Sequence, residues 1–577
     1  MCYYVAMKRY VVAEEISPES RKELLSYPPL QQKMLARRNI LTANDAQVFL
    51  EPDYVRDIGD PFDIFDLRKS VDRILRAIDA GERICIYGDY DCDGIPGSVI
   101  LSDLFQKIGY TNVRVYIPHR HLEGYGLHVS AIDSLFANGV SLLVTVDSGI
   151  VDNSKVAHAQ ALGMDVIITD HHLPQAELPP AYAVVNSKRT EDTYHDKMLC
   201  GAGVAWKLAC AILRSRDFGV PLGWEKWLLD MAGLSTIADM VPLRKENRAI
   251  AYFGLKVLQK SPRPGLRALL RLAGTEQSLL VEDDVGFTIG PRINAASRMG
   301  IPMEAFQLLS TKDEGEANRL AEHLSQLNDE RKSSVAHMMK EVKKHLKTRQ
   351  LRDVIVIGDP SWRVGVVGLA ANKIVEEYGK TAFVWGREEM VMIKGSCRSN
   401  GTVNLVHLMA QVKEGIFIDR GGHAEAGGFS VAHDAIHLVE DALNEAYGSV
   451  VQKQAEQIQE VVLDAVLDLE DVTRETYRQI SALAPYGVEN PKPLFLFPRV
   501  LVDQVKVFGK AKNHLEVIFR NGKGKTVSGI AFFSSPTSYG SLSLVSGMTV
   551  DVVASFDSSV YLGTSRLRLR IVDLLQN

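Results

Sequence analysis

Short apolar runs that end in acids constrain this chain more than any other feature. Residues 83–87 (RICIY) lead into Asp89, Asp91 and Asp93; residues 142–146 (LLVTV) lead into Asp147; residues 166–169 (VIIT) lead into Asp170, His171 and His172. Residues 113–117 (VRVYI) form a further run of the same kind, and helical patterns fill 98–108, 129–137 and 154–162 between them. Strands alternating with helices predict a parallel α/β sheet. All strand C-termini of such a sheet lie on one edge, where ligands bind. A solvated acidic loop explains one of these segments but not three converging on one edge.

Carboxylates packed together repel and need a cation. Oxygen ligands with imidazole suit Mn²⁺ or Mg²⁺, and two metals about 3.5–4 Å apart would clamp the attacking and leaving oxygens of a phosphoryl centre. The chemistry expected of this cluster is metal-dependent phosphodiester hydrolysis. His172, the second histidine of its pair, is expected to protonate or orient the scissile phosphate beside Asp170. Asp230 and Asp239 both lie in LLDMAGLSTIADMVPL as candidates for a last acid. Asp239 is favoured because it ends an apolar run shortly before a proline, as strand-end acids do, whereas Asp230 falls inside a helical pattern.

A second α/β region starts near residue 350, with strands expected at 353–358 and 382–385 around a helix at 364–378. Leu320, Leu324, Leu327, Val335, Met338 and Val342 recur at helical spacing, so 313–347 reads as one helix holding two domains at a fixed separation. From about Phe495 the period changes to two in LFLFPRVLVDQVKVF, HLEVIF and SRLRLRIV, with Asn521-Gly522 as a hairpin signal. A small β-barrel is the expected form. The first seventy residues, broken at Tyr27-Pro28-Pro29, read as a helical cap.

The 577 residues imply several domains, and 46% hydrophobic with 24% charged residues is the profile of an ordinary globular protein. A net charge of -5 excludes an overall basic coat but not a local one. Arg499, Lys506, Lys510, Lys512, Arg520, Lys523, Lys525, Arg566 and Arg568 make the C-terminal region basic. With Phe508, Phe519 and Phe532 it fits single-strand binding by charge and stacking, although most of these rings are expected in the barrel core. Cys2, Cys85, Cys92, Cys200, Cys210 and Cys397 show no C-x-x-C spacing and read as reduced thiols. Neither a signal peptide nor a membrane span is expected. Gly524-Lys525-Thr526 imitates a P-loop ending, but Phe519 stands where the earlier glycine is required. Gly201 and Gly203 read as packing residues.

Arg120 follows the run at 113–117 on the acid edge and could grip a phosphate; Tyr125, between two glycines, could stack a base. Ser396 and Arg398 pair a hydroxyl with a cation, which suits a terminal 5′-phosphate. Arg292, Asn294 and Arg298 offer further contacts. Gly421, Gly422 and His423 let backbone N–H groups approach an anion.

GDYDCDG, VDSG and TDHH, in that order, resemble the DHH phosphoesterase superfamily. IPHRHLEGYGL, LCGAGVAWKL, STIADMVPL, GPRINAASRMG, WRVGVVGLAANKI, GSCRS, GGHAEAGG and APYGVENPKPLF extend the resemblance to its bacterial single-strand DNA exonuclease branch, over nearly the whole chain. The resemblance implies a cap (1–70), a parallel-sheet DHH domain (71–310), a linking helix (311–350), a DHH-associated α/β domain (351–450) and a C-terminal OB-fold (451–577). It implies metal ligands at Asp89, Asp91, Asp93, Asp147, His171 and Asp239. It also implies 5′-to-3′ release of nucleotides from single-stranded DNA in repair and recombination; the polarity comes from the resemblance alone. A cytoplasmic bacterial monomer, off the membrane, working with a helicase and a single-strand binding protein, is the matching expectation. Pro96, Ser297, Lys373 and Tyr486 depart from the family's common Thr, Gly, Arg and Phe, and none is a ligand position. The rival readings are a phosphodiesterase for short oligonucleotides or cyclic dinucleotides, disfavoured by the C-terminal barrel, and a non-catalytic scaffold, disfavoured because every acid is present.

Overall fold

A computed structural model describes residues 9–388, 392–451, 460–509, 512–539, 542–561 and 564–576. Cys2 and Lys510 lie outside the described residues. The first sheet is fully parallel, in the order Val113–Tyr116, Arg83–Gly88, Val140–Val146, Asp165–Thr169, Ala183–Val185. Its runs are continuously apolar because both faces are covered: Ile84, Ile86, Leu142 and Val144 enter one core, Cys85, Tyr87, Leu143 and Val166 the other. The fifth strand was not expected from the sequence. Strand order reverses between Arg83–Gly88 and Val140–Val146, which opens a crevice at their C-terminal ends. The ladder carries one step past the strands. Asp89 N–H donates to the Val146 carbonyl (3.1 Å), Asp147 N–H to Thr169 (2.9 Å) and Asp170 N–H to Val185 (3.1 Å). Three acids are thereby aligned on one edge.

Helices Gly201–Ser215, Leu229–Ala238 and Gly290–Met299 pack on this sheet's core. Then comes the helix Glu314–Leu346, 33 residues or about 50 Å long at 1.5 Å per residue. Asp313 caps it, accepting from Glu316 N–H at 2.6 Å. Leu320 and Leu324 belong to the first core, and Val335, Met338, Met339, Val342 and Leu346 to the core of the next domain. One helix is thus a wall of two cores.

The second sheet has the order Phe417–Gly422, Ala426–Ala432, Met392–Arg398, Thr381–Glu388, Val354–Gly358. Only its last pair is parallel, so the sheet is mixed, and its first three strands escaped the sequence reading. Helix Val364–Tyr378 runs over the expected residues. All of this lies in one compact unit, which begins at Tyr54.

The other unit joins the described residues up to Asp53 to those from Glu460 onward. Its sheet closes into a barrel, in the order Phe495–Phe508, His514–Arg520, Thr526–Phe532, Thr564–Gln576, Thr549–Tyr561 and back to Phe495–Phe508. The turn at Asn521 is longer than a two-residue hairpin: Asn521 N–H bonds to the Lys525 carbonyl, and Gly524, not Gly522, takes the positive φ of 87°. Phe519 is core, with Phe495 and Phe497. Phe508 and Phe532 instead flank His514 at the surface, against the expectation that most of these aromatics would be buried. Helices Pro18–Glu23, Pro29–Arg37 and Ala43–Leu50 belong to this unit, with Pro28 and Pro29 starting the second of them. Arg38 ties them down: it pairs with buried Asp464 (3.2 Å) and donates to the Asn490 side chain (2.6 Å).

Candidate metal centre and phosphate cleft

Asp89, Asp93 and Asp147 are buried at the edge of the parallel sheet, with Asp91 and Asp239 facing the same point. His171 Nε2 lies 3.1 Å from Asp147 Oδ1, 3.6 Å from Asp93 Oδ2 and 3.7 Å from Asp239 Oδ2. Asp89, Asp91 and Asp147 form a second group of converging ligand atoms. Asp239 reaches the cluster from the C-terminal end of helix Leu229–Ala238, not from a strand end as its sequence context suggested. Asp230 is elsewhere: it is buried against Arg263 (2.7 Å) and Ser261 (2.8 Å).

The acids are short of positive charge. Burial, then Asp91, pushes the Asp89 carboxyl well above the usual range; burial, then Asp93, does the same to Asp147. Asp93 is raised to about 6 and Asp239 to about 9, first by burial and then by neighbouring aspartates. Asp89 Oδ1 and Asp147 Oδ1 are buried without a hydrogen-bond donor. Burial lowers His171 to about 3, which keeps the imidazole neutral and fit to be a ligand.

Asp170 plays a different part. It accepts from the N–H groups of Ile150, His171 and His172, and holds His172 Nδ1 at 2.8 Å. Burial opposes its charge, but these bonds outweigh it and hold its carboxyl below the usual range. Tyr125 OH reaches the Asp147 carbonyl and His172 Nδ1, both at 3.1 Å, so this phenol braces the site more directly than it offers a stacking face.

A cleft of about 250 Å³ over the acids is lined by Tyr90, Arg120, Tyr125, His172, Asn294 and Arg298 as well. A second, of about 190 Å³, shares Tyr90, Arg120 and Arg298 with it and continues to Lys394, Ser396, Arg398 and the start of helix Val364–Tyr378. Lys394, Ser396 and Arg398 alternate along one strand and therefore share a face. Arg120 stacks on Tyr90 at 4.8 Å. Arg298 donates to the Gly365 carbonyl (3.3 Å) across the joint between the domains. Burial, then Arg120 and Arg331, lowers Arg298 to about 9; burial also lowers Arg398. The arginines are thus short of negative charge.

Not every expected residue reaches the cleft. Asn294 does, and also fixes the acid loop by accepting from Cys92 N–H at 2.9 Å. Arg292 lies outside both lining sets and donates to the carbonyl of Thr288, in the turn just before its own helix. His423 is exposed in the turn after Gly422, and neither residue lines the cleft. Gly422 has a φ of 138°, and a Cβ there would meet the Ala426 carbonyl at 2.4 Å, so its glycine serves the turn. Gly421 and Gly428 sit beside Ser396 in the ladder and leave the backbone bare there.

Gly201 was misread as packing alone. Gly201 and Ala202 N–H groups open a 15-residue helix and clamp Asp93 at 2.6 and 2.8 Å. A Cβ on Gly201 would stand 2.5 Å from Asp147 Cβ. The signal lay in LCGAG, where glycines open a helix. Pro96 sits in the first turn of helix Gly94–Lys107, where a missing N–H costs nothing. Ser297 donates to the Asn294 carbonyl, Tyr486 to the Ile480 carbonyl, and Lys373 is exposed.

Comparison with known proteins agrees with this layout. The description "DHH family, N-terminal domain" matches residues 83–236, "DHHA1 domain" residues 351–452 and "RecJ OB domain" residues 463–573. The single-stranded-DNA-specific exonuclease RecJ of Escherichia coli is 32% identical over 88% of this chain and 89% of its own length. That of Bacillus subtilis is 37% identical over 87% of this chain, which spans 63% of the relative. The crystal structure of RecJ in complex with Mn²⁺ from Thermus thermophilus matches with a TM-score of 0.81 at 28% identity, covering 99% of this chain and 80% of that one. The chain belongs to the RecJ family of single-stranded-DNA-specific exonucleases.

Proposed function

We propose that this chain removes mononucleotides from the 5′ end of single-stranded DNA by metal-assisted phosphodiester hydrolysis. The observation that carries the reading is a pair of opposite charge deficits in one continuous cleft. Burial and then neighbouring aspartates raise Asp147 and Asp239, while burial lowers Arg298, which lines both parts of the cleft, and Arg398 at its far end. A metal-loaded centre beside a phosphate strand would satisfy both.

Asp89, Asp91, Asp93, Asp147, His171 and Asp239 would hold the metals. The unsatisfied oxygens of Asp89 and Asp147 fit that role, and carboxylates with one imidazole suit Mn²⁺ or Mg²⁺. Bound there, these ions supply Lewis acidity toward phosphoryl oxygens and activation of the attacking water. Asp170 fixes the His172 ring through Nδ1, which leaves Nε2 to hold a proton against the scissile phosphate or its leaving oxygen. Arg120, Asn294 and Arg298 grip the strand between the two ends of the cleft. Ser396 and Arg398, joined at 3.0 Å, receive the terminal 5′-phosphate and so set the direction of digestion. Arg292, Gly422 and His423 would act on the strand outside the cleft itself.

The same reading assigns 71–310 to chemistry, 311–350 to spacing, 351–450 to the strand end and 451–577, with the cap 1–70 outside these, to holding longer single strands. It is also the reading of a monomer in the bacterial cytoplasm, acting beside a helicase and a single-strand binding protein in repair and recombination. No helix among the described residues is long and apolar enough to cross a membrane.

Digestion of end-labelled single- and double-stranded DNA, with and without a 5′-phosphate, tests the proposal. Mononucleotide release from 5′-phosphorylated single strands, abolished by chelation, is expected. No release with Mn²⁺ or Mg²⁺, or release from 3′ ends alone, would sink it; preference for di- to pentanucleotides over long strands would favour a small-substrate phosphodiesterase.

A further inference from the structure

The cleft itself speaks mainly to phosphate and sugar: its walls are acids, arginines, an asparagine, His172 and two tyrosines, of which Tyr90 carries Arg120 on its ring and Tyr125 has its hydroxyl engaged. A base attached to that backbone needs an apolar surface elsewhere. Two side chains offer one. Leu173 follows His172 directly and is 72% exposed; Met240 follows Asp239 directly and is 69% exposed. The residues directly before them, His172 and Asp239, both line the acid end of the cleft, so the two apolar groups leave the backbone beside the same site.

Neither is a loose loop residue. The His172 carbonyl, one peptide before Leu173, is fixed by Asn186 Nδ2 at 2.9 Å. Met240 has a φ of 58°, a left-handed conformation that disfavours any side chain, and its N–H bonds to the Ile237 carbonyl at 3.3 Å. Strained backbone holding an exposed apolar group beside a reactive centre is a mark of function. His172 and Asp239 line the acid end of the cleft and not the Ser396–Arg398 end. The rim they carry therefore lies past the acids as seen from the 5′-phosphate pocket.

We infer that Leu173 and Met240 form an apolar clamp for the nucleobase of the second nucleotide, the one just beyond the scissile bond. A thioether and an isobutyl group take any base by its flat face, so the clamp positions without reading sequence. The inference rests on the 5′-to-3′ reading above, which orders the nucleotides along the cleft.

The test places an abasic residue at position one or position two of a 5′-phosphorylated single strand. The wild-type protein should be slowed about tenfold, the size of burying one apolar group, by the gap at position two and little by the gap at position one. The Leu173→Ala/Met240→Gly protein should be slow on intact DNA, through KM more than kcat, and indifferent to the gap. Met240→Gly relieves the strained φ, so its melting temperature should not fall. A strand carrying 2-aminopurine at position two, bound without turnover in Ca²⁺, should change its emission with the wild type and not with the variant. An equal abasic penalty in both proteins, or no emission change with the wild type, overturns the clamp. Absence of nucleotide release from every strand would instead overturn the exonuclease reading, while the emission signal still decides the clamp.

Discussion

Gly201 shows how little space the metal centre leaves. Its N–H clamps Asp93, and its missing Cβ makes room for Asp147. Gly201→Ala should lower metal affinity about 10–100-fold, the usual cost of disturbing groups that orient ligands; a Mn²⁺ titration of activity reads it. Asp230 and Asp239, nine residues apart in sequence, should separate cleanly. Asp230→Ala strips a buried partner from Arg263 and should cost about 3 kcal/mol of stability in denaturant melts. Asp239→Ala should abolish activity and leave metal-free stability unchanged or higher, because it removes one of several crowded carboxyls. The same crowding predicts a pH effect. Asp93 and Asp239 are raised to about 6 and about 9, so the folded, metal-free protein keeps protons that the unfolded chain releases near its ordinary carboxylate pKa. Their contribution is most favourable at low pH and fades as pH rises through those values. Melting temperature in chelator should therefore decline from about pH 5 toward pH 9, and Mn²⁺ should restore more of it at the alkaline end.

Among the elements, the helix Glu314–Leu346 makes the firmest demand. Ser333 is exposed near the stretch where the helix passes from one core to the other. Ser333→Pro should break it at a cost of about 3 kcal/mol or more. Cleavage of 5′-phosphorylated strands, which on the proposed reading needs Arg398 and the acids together, should fall far more than hydrolysis of a small aryl phosphodiester, which on that reading needs the acids alone. Equal losses would show that the helix does not set that distance. This helix was legible because its apolar spacing persists over many turns, and the parallel strands were legible because they are buried on both faces. Other elements left weaker traces. Ala183–Val185 is three residues long, too short to show a period. In the second sheet, Gly395, Gly421, Gly422, Gly427 and Gly428 erase the alternation that would have marked strands. Of these, Gly395 lines the Arg398 end of the cleft, between Lys394 and Ser396. The acids that follow strands were visible for what they are; Asp239, which ends a helix, was found by its surroundings and placed on the wrong kind of element.

For the whole molecule, the described residues up to Asp53 and from Glu460 onward belong to one compact unit and those between them to another. Arg38 and Asp464 are both almost fully buried in the first, so Arg38→Ala should lower that unit's melting by about 3–5 kcal/mol of lost stability. Calorimetry should show the transition of the metal-binding unit, recognised by its response to Mn²⁺, staying where it was. A single transition moving as a block would contradict this independence. The long helix carries a further consequence for how such a chain can change over generations. One residue inserted within it would swing everything beyond by roughly 100° and advance it about 1.5 Å. The pocket around Arg398 would leave the acids it serves. A change of length in the loops on either side leaves that spacing alone, but the helix is a ruler, and a change in its count of residues would separate the acids from their pocket as surely as losing one of them.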